Sequence, residues 1–171
     1  MCGAKLSDNS LLRPSIGSNQ EVHSTQGAVQ PPTATFQLTS ECTAQEIAQQ
    51  VALAGASAVQ IVSYPSLREY EKLLTLLPMT QRAQVAHVED ESALDMIEQY
   101  VPYVDISLLD SGRPSLSTPE FGGTGRTHNW LISAEFVRRS PHPVFLAGGL
   151  SLDNVAEAMS VVRPARVDSK L

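Results

Sequence analysis

The residues best suited to chemistry lie in the C-terminal half of the sequence. Asp110 follows Ile106, Leu108 and Leu109, so it ends an apolar run of strand length. A carboxyl group at the C-terminal lip of a parallel strand, partly shielded from water, holds its proton more tightly and can serve as a general acid. Catalytic groups of parallel α/β folds gather at that rim. An Asp ahead of Ser-Gly also caps loops, and spacing alone leaves both readings open. The turn Gly122-Gly123-Thr124-Gly125 permits positive φ or close approach to a ligand, or is simply a tight turn. It is not a P-loop, because no Gly-Lys-Ser/Thr follows it. In "FLAGGLS" (145–151), Gly148 and Gly149 stand between a buried strand and a helix expected to open near Ser151. Free amides and the positive end of the helix dipole favour a phosphate there, and close strand–helix packing is the competing use of the glycines. His87 reads as a core or rim histidine and His128 as a loop residue. The four histidines show no metal-ligand spacing with either cysteine, so no metal is expected.

Positioning these groups requires a regular scaffold, and the sequence has one. Short apolar runs at 35–40, 58–63, 83–88, 104–110 and 143–150 have strand length and β-branched content, with a possible sixth at 165–169. Helical patterns lie between them. "TAQEIAQQVALAG" has Thr43 and Glu46 at capping-box spacing, puts Ile47 and Val51 on one face and stops at Gly55. "SLREYEKLLTLLP" repeats the device with Ser66 and Glu69 and predicts Leu67, Tyr70, Leu74 and Leu77 as its buried face. "SALDMIEQYVP" and "SAEFVRRSP" are shorter versions closed by proline. "SLDNVAEAMSVVRP" predicts Ser151 as N-cap and Leu152, Val155, Met159 and Val162 as its apolar face. Strand then helix at this spacing predicts parallel βα units, covered on both faces. No glycine fingerprint for a dinucleotide follows an early strand, which favours a (β/α)8 TIM-barrel type over a doubly wound sheet. About five to six βα units are countable, so the expected barrel is incomplete.

Composition narrows the function classes. The chain has 171 residues, 42% hydrophobic and 18% charged, with a net charge of −6. That balance argues against nucleic acid as a main partner, because phosphate backbones select a basic face. No apolar run approaches the length of a membrane span. Two cysteines, Cys2 and Cys42, are too few for a disulfide framework. With no signal-like N-terminus, they point to the cytoplasm. Residues 1–35 are rich in Ser, Asn, Gln and Thr and are expected to form a disordered or irregular arm, with the partial barrel domain over 36–171.

Three pieces, "LLDS…GGTGRTHNW", "PVFLAGGLSLDNVAEAM" and "RPARVD", occur in this order and spacing. Together they resemble the phosphoribosylanthranilate isomerase family of tryptophan biosynthesis, most closely over about 100–168. The resemblance implies an Amadori rearrangement of N-(5-phosphoribosyl)anthranilate to 1-(2-carboxyphenylamino)-1-deoxyribulose 5-phosphate, with no cofactor. It assigns Asp110 as the general acid and Gly148 and Gly149 to the phosphate. It makes Gly123, Thr124 and Gly125 part of a loop shaping the substrate pocket. The family's base is a cysteine followed by glycine, which Cys2 and Gly3 match. Against the family pattern the sequence reads as shortened at both ends. The expected partner is a small phosphosugar, and the alternative is a non-catalytic module of the same fold that binds a phospho-ligand.

Overall fold

The computed structural model describes residues 34–113 and 125–169. All but the last two residues of the expected N-terminal arm therefore lie outside the described residues. Contacts divide the chain into one unit ending at Gln81 and another beginning at Arg82.

In the first unit, β1 (Phe36–Thr39) and β2 (Ala58–Ile61) run parallel, from Phe36 beside Ala58 to Thr39 beside Ile61. Between them lies α1 (Ala44–Ala54), formed as its sequence predicts. The Thr43 hydroxyl accepts the Glu46 N–H at 3.3 Å, and Gly55 closes the helix in the left-handed region, donating to Val51 O. Ala44, Ile47, Val51 and Ala54 form the buried stripe.

The second helix, α2 (Leu67–Leu76), departs from expectation. Ser66 is the N-cap residue but its side chain makes no capping bond. Glu69 instead reaches across to α1, where its carboxylate accepts the Ala44 N–H at 2.8 Å while holding Lys72 on its other side. One of the amides left open by α1 is thus satisfied by the neighbouring helix rather than by its own. The buried residues of α2 are Tyr70 and Leu73, and Leu67 and Leu74 are exposed. Glu69 is drawn toward α1, and the residues one and four positions later turn inward with it.

The second unit carries all but the first residue of β3 (Gln81–His87), then a 3-10 turn (Glu91–Leu94), α3 (Asp95–Tyr100), a second 3-10 turn (Val101–Tyr103) and β4 (Ile106–Asp110). α4 (Trp130–Arg139), β5 (Val144–Leu146), α5 (Val155–Val162) and the short β6 (Arg166–Val167) complete it. β3, β4, β5 and β6 pair in sequence order, all parallel. Residues alternate between the two faces. Ala86, Leu109, Val144 and Leu146 pack with Ile97, Phe136, Ala158 and Val162 from the helices. The opposite face carries Val85, His87, Leu108 and Asp110, all buried except the half-buried acid. Burial on both faces accounts for the continuous apolar runs in the sequence. At the N-terminal edge Asp105 Oδ2 accepts the Arg82 backbone N–H at 2.9 Å and lies 3.0 Å from its Nη2, which pins β3 against β4.

Boundaries near the glycines also differ from expectation. β5 ends at Leu146 because Gly148 and Gly149 take φ of +82° and +63°, outside the extended region. α5 begins at Val155, not just after Ser151. Asn154 stands at its N-cap position and ties the preceding turn. Its Oδ1 accepts the Ser151 N–H at 2.9 Å and its Nδ2 donates to Gly149 O. Leu152, expected in the core, is 85% exposed, and Met159 is half exposed. With the helix starting later, Ala158 and Val162 supply its buried face.

Candidate active site at the C-terminal strand edge

Asp110 ends β4 on the face opposite the helix-packed core, directly beside His87 of β3 in the pairing register. Its backbone is fixed on both sides. The Val88 N–H donates to Asp110 O at 2.9 Å, and the Ala147 N–H donates to Leu109 O at 2.8 Å. The carboxyl accepts the Ser111 N–H through Oδ1 at 2.7 Å.

Gly148 packs directly against this pair. A Cβ at that position would lie 2.9 Å from Asp110 Oδ1 and 2.7 Å from Ser111 N, closer than real side chains approach. Gly149 meets the returning chain in the same way, its missing Cβ facing Thr127 N at 2.6 Å. Both glycines are therefore required by close backbone approach, the use weighed against phosphate binding in the sequence. The turn keeps its donors nonetheless: no acceptor among the described residues takes the N–H groups of Gly148, Gly149 or Leu150. The Ser151 amide, expected to open toward a ligand, is engaged by Asn154.

Burial pushes the Asp110 carboxyl above the usual aspartate range. The Ser111 amide and the charge of His87 oppose that rise, and the Asp168 carboxylate adds to it. Asp168 follows β6, its N–H donating to Leu146 O at 2.8 Å. Sequence reasoning did not single it out. The available signal was its place at the end of the last short strand, on the edge that Asp110 occupies.

A cleft of about 430 Å³ opens beside Ser111, with Arg113, Arg126 and Asn129 among its walls and Glu89 and Asp90 also lining it. His128 borders the cleft and lies, as expected, in the loop before α4. Its Nε2 lies 2.7 Å from Ser133 Oγ of α4, and burial pushes the imidazole down to about 4. Gly125 has φ of +67° with open space around its Cα, while Gly123 and Thr124 lie outside the described residues. Cys2 lies outside them as well. Cys42, between β1 and α1, is disulfide-bonded.

Parallel strand–helix units with a half-buried acid on the C-terminal strand edge define an α/β protein of the (β/α)-barrel class. Solved structures agree with that class. A phosphoribosyl anthranilate isomerase from Thermus thermophilus superposes with a TM-score of 0.71 at 17% identity, covering 89% of this chain and 68% of that one. A structure of the Thermotoga maritima enzyme reaches 0.70 at 19% identity, with 89% and 67% coverage. The family model for N-(5'-phosphoribosyl)anthranilate (PRA) isomerase matches residues 18–169, and the chain belongs to that family. Among curated relatives, an N-(5'-phosphoribosyl)anthranilate isomerase from a Synechococcus strain is 36% identical over 124 residues, which is 71% of this chain and 52% of the relative. That of Nostoc punctiforme is also 36% identical over 124 residues, 72% and 56% of the two chains. The chain thus spans about half the length of the curated relatives it matches.

Proposed function

We propose that this chain acts as a phosphoribosylanthranilate isomerase, with Asp110 as its general acid. The observation that carries this reading is the half-buried carboxyl at the end of β4, its proton affinity raised by burial, in a chain of that family. Asp110 protonates the furanose ring oxygen as the ring C–O bond breaks, leaving an iminium on the anthranilate nitrogen. A base then removes the proton from the adjacent sugar carbon, and the resulting enol settles to the ketone. The family resemblance assigns that base to Cys2. Gly148 and Gly149 serve the phosphate through their N–H groups, which have no acceptor among the described residues. Gly123, Thr124 and Gly125 border the substrate pocket.

One relative supports the substrate class: a solved phosphoribosyl anthranilate isomerase holds reduced 1-(o-carboxyphenylamino)-1-deoxyribulose 5-phosphate. No nucleic-acid or membrane partner belongs to this reading. Among the described residues no helix is long and apolar enough to cross a membrane. We assign the reaction to the cytoplasm; a cysteine base acts as a thiol, so the disulfide at Cys42, which the expectation of reduced cysteines did not include, has to be opened before turnover.

The test is turnover of phosphoribosylanthranilate generated in situ, in reductant so that cysteine is present as thiol. Asp110→Asn is expected to lower kcat by about 10²–10⁴-fold, the usual worth of a positioned acid. Measurable activity that survives this change would remove Asp110 from the mechanism. No turnover, with phosphate-dependent binding of a product analogue, would establish the binding-module reading instead.

A further inference from the structure

We propose that His87 is the positioning residue of Asp110: held beside the carboxyl on the same sheet face, its imidazole sets how tightly that acid holds its proton. The inference rests on the isomerase reading for its catalytic meaning, but its physical content concerns the pair itself.

The geometry is that of a cross-strand pair. His87 and Asp110 are register partners at the last paired position of β3 and β4. Neighbouring strands lie about 4.8 Å apart and paired residues project to the same face. The face is settled by the preceding residues, Ala86 and Leu109, which both belong to the helix-packed core. His87 and Asp110 therefore share the other side. The Val88 N–H bond to Asp110 O locks this register immediately beyond the pair.

Burial separates the two roles. His87 is only 5% exposed, whereas Asp110 is half-buried. The carboxyl can meet a substrate, and the imidazole works through it. Among the described residues, each element packed around the acid contributes one determinant. β3 brings His87, the turn after β4 brings the Ser111 amide, the loop after β5 brings the bare face of Gly148, and the chain after β6 brings Asp168. Ser111 and Gly148 fix where the carboxyl lies. His87 and Asp168 are the titratable groups acting on it, with opposite sign: a cationic imidazole favours its ionised form and a second carboxylate disfavours it.

The arrangement suits an acid that must give up its proton and regain it in each cycle. Burial holds the proton on the carboxyl, and the imidazole, when protonated, stabilises the carboxylate left after donation.

The experiment follows the Asp110 carboxyl by carbon NMR across a pH series, in the whole chain and in His87→Gln. The amide keeps a polar group of similar reach without the charge. The Asp110 midpoint is expected to move up in His87→Gln and down in Asp168→Asn. A merely structural histidine would not move it. Where turnover is measurable, the alkaline limb of the kcat profile moves up with the midpoint, because the acid acts in its protonated form. An unchanged Asp110 midpoint in folded His87→Gln would overturn the proposal. Should that variant fail to fold, the reciprocal measurement decides. Interacting groups titrate as a pair, so Asp110→Asn must lower the His87 midpoint read by nitrogen NMR, and no change there overturns the proposal equally. Shifted midpoints in a chain without turnover would uphold the pair and count against the isomerase reading.

Discussion

At the residue scale, the site depends on what Gly148 lacks as much as on what Asp110 carries. The carboxyl oxygen and the Ser111 amide occupy the space where a Cβ at position 148 would stand, and φ there is +82°. Gly148→Ala therefore meets both a backbone penalty and a collision with the acid. It is expected to cost about 2–4 kcal/mol in urea unfolding, within the range of strained positions that also clash. Gly125→Ala has a positive φ but open surroundings, so it should cost about 1–2 kcal/mol, the backbone penalty alone. Equal losses at the two positions would contradict the packing of Gly148 on Asp110. The sequence placed Gly148 next to a strand end, yet it could not say which neighbour filled the space beside it. Contact across β4 and β5 is set by pairing register, and a residue list does not contain it.

At the element scale, α4 is tied to the loop before it through His128 and Ser133. Asn129 caps the same helix by accepting the Leu131 N–H at 3.0 Å. The imidazole is held down at about 4 by burial, against an ordinary value of 6.5. The folded state therefore resists the proton that the unfolded state binds from about pH 6.5 downward. Stability linked to His128 is fully present above 6.5 and is lost as pH falls from there through about 4. His128→Gln should flatten that part of the stability curve, measured as urea midpoint against pH; an unchanged slope would show that the imidazole is not buried as described. Helices whose signals are local were the legible ones. Thr43, Glu46 and Gly55 predict both ends of α1 because a cap is satisfied within one turn. Glu69 followed the same spacing but bonds Ala44, 25 positions away, and the rotation of α2 follows that longer contact. The start of α5 moved for a related reason. Asn154 stands at the N-cap position without a side-chain capping bond and instead ties the preceding turn through the Ser151 N–H and Gly149 O.

At the scale of the whole molecule, the described acid-site geometry belongs to the unit beginning at Arg82. There, β4 has a parallel neighbour on each side and β6 pairs with β5 over two positions. Exposure follows the same order, with Leu109 fully buried and Arg166 and Val167 exposed. Amide exchange should accordingly be slowest in β4, at Leu108 and Leu109, and fast in β6. Rapid exchange at Leu109 in the isolated chain would contradict a folded site around Asp110. Such an experiment also bears on function, because an acid in a fluctuating strand cannot be placed to the tolerance that proton transfer requires.

The sequence by itself determined the parallel βα class, five of the strand positions with a sixth left open, the local caps of α1 and the place of Asp110 at a strand end. These follow from periodicity and from bonds closed within a few residues. Tertiary structure alone decided that His87 is the acid's neighbour, that Asp168 reaches the same edge and that Gly148 must remain bare. Each of these depends on which residues of separate strands stand opposite one another. Pairing register sets that, through burial of one face and hydrogen bonds along the other edge, and it is a property of the folded sheet rather than of any segment within it.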